Sequence, residues 1–161
     1  MRLITLCALF AFLLTACVTT NTATTTEDTK TVSKVPTRDI SSLTFINSSP
    51  PVSAKLRRDR SLKIDSELNA KLVTKDGYNT VLSEKSGKIT QAQFDSITAK
   101  LNAANYVQIR PKAGQSTVGQ GKETLIISSD LGAHRYVNGG GTVFPEVIAE
   151  IFAMQDQLLP E

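Results

Sequence analysis

The sequence predicts an α+β domain, a small antiparallel sheet with two amphipathic helices packed on one face. Three observations carry that prediction. Short runs rich in Val, Ile, Thr, Phe and Tyr alternate with turn signals such as Asp76-Gly77 and Ser48-Ser49-Pro50-Pro51. Two longer stretches, 90–104 and 145–158, instead repeat apolar residues at helical spacing. The order along the chain is strands, helix, strands, helix, and amphipathic helices of this kind bury their apolar stripes against an antiparallel sheet.

Ile40 to Ile46 reads as a first strand, with Leu43, Phe45 and Ile46 apolar, ended by the Ser-Ser-Pro-Pro break. A dense basic cluster follows, Lys55-Leu56-Arg57-Arg58-Asp59-Arg60. Ser61 to Leu68 alternates, with Leu62 and Ile64 on one face. Lys71 to Thr74 is extended, Asp76-Gly77 turns the chain, and Thr80 to Leu82 returns as its partner; Ser86-Gly87 marks another turn. Thr90 with Gln93 forms a capping-box signature, in which hydroxyl and amide satisfy orphan backbone N–H groups. Phe94, Ile97, Leu101 and Ala104 then share one helical face, and Asn105 suits the left-handed position at a helix end. Tyr106 to Ile109 is a short strand, and Pro111 to Lys122 a long loop. The consecutive apolar residues Leu125, Ile126 and Ile127 suggest a strand covered on both faces. Asp130 to Gly132 is a hairpin turn, Arg135 to Asn138 returns, and Gly139-Gly140-Gly141 leads into the final helix. Thr142 is its candidate cap, Pro145 fits its first turn, and Val147, Ile148, Ile151, Phe152 and Leu158 form its stripe. Phe94, Ile97 and Leu101 are expected to pack with Ile126, Ile151 and Phe152.

Ahead of this domain (41–161) lie two segments with other rules. Residues 18 to about 40 are crowded with threonine and almost without apolar residues. Such a segment cannot bury enough surface to offset its ordering entropy. It reads as a disordered tether reaching ~60 Å at about 3.1 Å per residue. Residues 1–16 have one basic residue, Arg2, then an apolar run from Leu3 to Leu14, then Thr15 and Ala16 ahead of Cys17. Basic start, apolar middle and small residues before a cut are the parts of an export signal. The apolar run falls short of the ~20 residues that span a bilayer as a helix.

Leu14-Thr15-Ala16-Cys17 resembles the lipobox of bacterial lipoproteins. The resemblance implies that residues 1–16 are a signal peptide and that Cys17 is acylated (palmitate among its acyl groups) and becomes the first residue of a 17–40 tether. It implies a cell-envelope location, lipid-anchored. With Val18 rather than aspartate after the cysteine, the outer membrane facing the periplasm is implied in a Gram-negative cell. Each buried methylene contributes about 0.8 kcal/mol, so several acyl chains hold what one holds only marginally. The other cysteine, Cys7, lies within the signal, leaving the domain no thiol for a disulfide, a metal or a nucleophile.

The formal charge of +3 drops to +2 when Arg2 leaves with the signal, too weak a balance to argue for nucleic acid. His134, the single histidine, sits in the expected hairpin and reads as an exposed turn residue rather than a general base. Asp59, Asp65 and Glu67 have no calcium-loop spacing, and Glu123 interrupts the Lys-Thr pair that a phosphate loop needs after Gly121. Gly139-Gly140-Gly141 before a helix fits either an anion site or a relief of strain. No catalytic residue, metal or cofactor is expected. Arg57, Arg58 and Arg60 are the candidate partner-binding residues, against a reading of the same run as a solvated loop.

From Thr44 to Leu158 the domain resembles small protease-inhibitor domains of the emfourin type. The resemblance lies in a helix ending in an aromatic strand (Asn102 to Ile109), a hairpin (Thr124 to Asn138) and a proline-started closing helix (Pro145 to Leu158). An early glycine pair of that family is replaced by Ser48-Ser49. Two functions are therefore expected: a non-enzymatic, lipid-anchored binding or assembly module with a protein partner, or an envelope protease inhibitor using the Pro111–Lys122 loop.

Overall fold

Alternating strands dominate the computed structural model, which describes residues 37–115 and 119–159. The expected signal, Cys17 and most of the expected tether lie outside the described residues. Six strands form one antiparallel sheet: β1 (Ile40–Ser48), β2 (Asp59–Asp65), β3 (Asn69–Lys75), β4 (Val81–Lys88), β6 (Lys122–Ser129) and β7 (Gly132–Asn138). Their spatial order is β4-β3-β2-β1-β6-β7. Two short strands, β5 (Lys112–Ala113) and β8 (Thr142–Val143), pair separately. Helices α1 (Gln91–Ala103) and α2 (Glu146–Ala153) complete the α+β architecture.

Register aligns the inward side chains into rows. Leu72, Leu62, Phe45, Leu125 and Tyr136 are cross-strand partners in sequence, and Ala70, Ile64, Leu43, Ile127 and His134 form the next row. Both helices lay their apolar stripes on this face: Phe94, Ile97 and Leu101 from α1, and Ile148, Ile151 and Phe152 from α2, join the same buried core. The Phe152 ring lies 5.8 Å from Phe45 and 5.1 Å from Phe144, centroid to centroid. Lys100 and Glu150 tie the two helices at 3.3 Å.

The capping box at Thr90 forms as the sequence predicts. The Gln93 N–H donates to the Thr90 hydroxyl at 3.2 Å, and the Thr90 N–H donates to the Gln93 side-chain Oε1 at 2.8 Å. Asn105 ends the run in the left-handed region, φ 49°.

Other expectations are corrected. Tyr106 to Ile109 is a 3-10 turn, closed by Gln108 N–H on Asn105 O and Ile109 N–H on Tyr106 O. Left-handed Asn105 folds the chain inward, so the fully buried Tyr106 reaches the core without a strand partner. Ser86-Gly87 is not a turn: β4 continues through it, because pairing with Asn69–Lys71 holds the backbone extended. The Pro111–Lys122 stretch contains β5. Thr142 lies in β8, its hydroxyl donating to the carbonyls of Val137 and Gly139, and so caps no helix. Pro145 sits one residue before the helix, its carbonyl accepting from Ile148 and Ala149. The helix ends at Ala153 and passes into a 3-10 turn, Met154–Gln157, yet Leu158 remains buried. Ile126 faces away from the helices, half-buried, because its neighbours Leu125 and Ile127 take the inward positions; Thr124 on the same outward face is buried. The domain also starts slightly before 41: the Arg38 N–H donates to Asn102 Oδ1 at 2.9 Å, and Asp39 O accepts from Asp130.

Asp65 organises the β2–β3 turn. Its carboxylate accepts from the Asn69 side chain at 3.1 Å and from the Asn69 and Glu67 N–H groups, each at 3.0 Å. The Asn69 side-chain bond is the main force holding its pKa below the ordinary 3.8, with the backbone bonds and Lys63 adding to it against desolvation. A depressed carboxylate contributes stability that is present above its unfolded pKa and is lost as pH falls through the folded one. Chemical denaturation across the acid range is expected to show a shallower decline for Asp65→Asn than for the native chain below pH 3.8.

Candidate functional site

One step beyond the last apolar row, the inward face of the sheet turns polar. Side chains two apart on a strand share a face. Asn47 therefore follows Phe45, Arg60 precedes Leu62, Glu123 precedes Leu125 and Asn138 follows Tyr136. Register places these residues side by side: Arg60 opposite Asn47, Asn47 opposite Glu123, and Glu123 opposite Asn138. Thr74 and Ser83 extend the row across β3 and β4.

The row is hydrogen-bonded as well as aligned. Asn138 Nδ2 donates to Glu123 Oε2 at 2.7 Å. Asn47 Nδ2 donates to Gln155 Oε1 at 2.7 Å, and Arg60 meets Asp156 at 3.7 Å. Gln155 and Asp156 stand on the 3-10 turn after α2, so that turn closes over the row. Two recesses flank Asn47. One, of about 490 Å³, is lined by Arg60, Leu62, Leu72, Lys85, Asp156 and Leu159 besides Asn47 and Gln155. The other, of about 360 Å³, is lined by Ser48, Gly121, Lys122, Glu123, Asn138 and Gly139 besides Asn47 and Gln120. The first lies within the range of small-molecule pockets. The two share Asn47 and follow the polar row, and the pair is the candidate groove.

Glycine shapes the far end. Gly139, Gly140 and Gly141 all have positive φ (107°, 67° and 93°), and a Cβ at Gly139 would come within 2.9 Å of the Gly121 carbonyl. The triplet is thus a tight turn joining β7 to β8. It does not open a helix, so its geometry gives no helix N-terminus to an anion.

The predicted site residues fall into different settings. Arg57 pairs with Asp59 at 2.7 Å. Arg58 donates back to the carbonyls of Lys55 and Arg57, at 2.9 and 2.7 Å, pinning its own loop. Arg60 joins the polar row. Each of the three thus has its own partners. Cys17 lies outside the described residues, as do residues 116–118 of the Pro111–Lys122 loop.

His134 is corrected from an exposed turn to the middle of β7. It is half-buried, with its ring edge-on to Tyr106 at 5.4 Å and 86°. Asp130 and Leu131 make the turn between β6 and β7, and alternation from Tyr136 carries His134 inward. Beside it the Tyr136 hydroxyl donates to the Tyr106 carbonyl, and burial pushes its pKa up to about 12, with Tyr106 adding to the rise. His134→Ala is therefore expected to lower stability by about 0.5–1.5 kcal/mol, the worth of an aromatic pair, as read by urea denaturation.

Among the described residues, no group of three or more His, Cys, Asp or Glu side chains is placed to hold a metal ion, and no helix is long and apolar enough to cross a membrane. Neither any protein-family model nor any curated protein sequence matches the chain.

Proposed function

We propose that this chain is a lipid-anchored cell-envelope protein whose domain is a non-enzymatic binding module, with the cross-sheet groove as its binding surface. The observation that carries the reading is the apolar run Leu3–Leu14 ending in Leu14-Thr15-Ala16-Cys17. Export and acylation at Cys17 would hold the domain at a membrane, and the threonine-rich segment behind it gives the domain reach. The groove supports the second half of the reading. It presents amides, a guanidinium, an ammonium and carboxylates beside apolar side chains, a composition suited to recognition.

Cys17→Ser tests the anchor. The substituted chain is expected to leave the membrane fraction for the soluble periplasmic fraction and to lose acyl labelling. Unchanged membrane fractionation with retained label would sink the reading. Crosslinking in the native envelope tests the surface: a partner captured by the native chain is expected to be lost on Asn47→Ala together with Arg60→Ala, two half-buried or exposed changes that leave the core intact.

A further inference from the structure

The larger recess has a chemistry of its own. Lys85, Leu72 and Leu62 are successive cross-strand partners on β4, β3 and β2. Arg60 is the next inward residue on β2. Lys85 therefore stands two strands from Leu62, ~10 Å away, and Arg60 about 7 Å along the strand. Two long cationic side chains thus border one apolar floor, on which Leu62 is buried and Leu159 forms a wall.

The charges are unequal. Among the described residues, Asp156 is the single carboxylate lining this recess, set against Arg60 and Lys85. Its contact with Arg60 is long, 3.7 Å, and its side chain is 72% exposed, which makes the pair weak. Lys85 is in no ion pair with a described residue. Among the described residues that line it, one net positive charge remains. It suits a single negative charge, while Asp156 opposes a second. The leucine floor suits an aliphatic chain and disfavours a wholly polar ligand.

We propose that this recess binds a single-chain organic monoanion, a carboxylate on a short aliphatic tail, with its head between Arg60 and Lys85 and its tail on Leu62, Leu72 and Leu159. The proposal rests on the reading of the groove as the binding surface and names the ligand class of its larger half.

Decanoate is the probe, titrated into the full-length Cys17→Ser chain while amide and leucine-methyl NMR shifts are followed. Saturable shifts are expected at Leu62, Leu72 and Leu159. Decanol, of equal tail and no charge, is expected to bind about tenfold more weakly, and Arg60→Gln or Lys85→Gln to weaken decanoate by a similar factor, the effect of one charged hydrogen bond. Both side chains are exposed, so the variants are expected to fold, which unchanged shifts elsewhere verify. Equal affinity for decanoate and decanol, unaffected binding in both variants, or shifts away from the recess would overturn the ligand class. If decanoate fails while the groove variants still lose a crosslinked envelope partner, the ligand class falls and the groove reading stands. If both fail, the groove reading falls with it.

Discussion

Phe152→Ala is expected to destabilise the domain by about 3–5 kcal/mol. Phe152 is 4% exposed and stands between two other rings, Phe45 on the sheet and Phe144 ahead of α2. Truncation removes the transfer free energy of the ring and leaves a cavity between layers held apart by strand and helix backbones, which relax only in part. A loss of this size is a large fraction of the stability of a small domain. Urea denaturation with an unchanged m-value would give the number. A loss below ~1 kcal/mol would mean that α2 does not seat on Phe45 as described.

Gly77→Ala is expected to be the second most damaging change, about 1–3 kcal/mol or more, because the added methyl meets backbone. A Cβ at Gly77 would lie 2.5 Å from Ala54 Cα and 2.7 Å from Ala54 O. The Gly77 N–H donates to that same Ala54 carbonyl at 2.9 Å, so the turn between β3 and β4 clasps the loop after β1. Val52, Leu56, Tyr78 and Val81 are all exposed around this clasp. The substitution should free the 53–58 loop, which carries Arg57 and Arg58. Amide exchange would then rise at Leu56 and Arg57, whose N–H groups donate to Ser53 O, well before global unfolding. Unchanged exchange there, with unchanged stability, would contradict the clasp.

Much of the fold was legible because it follows from periodicity. Leu62 and Ile64 share a face by alternation, Phe94, Ile97 and Leu101 by helical spacing, and the capping box needed only Thr90 and Gln93. The misplacements arose where tertiary pairing outweighs a local signal. Gly87 looks like a turn but sits in β4, since pairing with β3 tolerates a missing side chain. Thr142 looks like a cap but bonds the carbonyls of a tight turn three and five residues back. The run Leu125-Ile126-Ile127 cannot reveal which face of its strand the helices cover; that depends on both helices choosing the same side.

The groove was harder to see for a different reason. Alternation identifies an inward face by its apolar residues and stops where they stop. Carrying the period one step past Phe45 and Leu62 reaches Asn47 and Arg60, polar residues at inward positions. That signal is present in the sequence, but Glu123, Asn138, Gln155 and Asp156 come to the same place only through sheet register and the turn after α2. Charge alone groups Arg60 with Arg57 and Arg58, and its position in the row distinguishes it from them. The turn signal from Asp130 to Gly132 suggests a turn setting for His134, whereas alternation from Tyr136 is the signal that places it.

The reading turns most directly on the state of Cys17. Mass spectrometry of the intact chain purified from the envelope, followed by its amino-terminal peptide, measures that state. A mature chain beginning at Cys17 and carrying the mass of a diacylglyceryl group is the expected result. A chain that retains residues 1–16, or one that begins elsewhere with Cys17 unmodified, would contradict it.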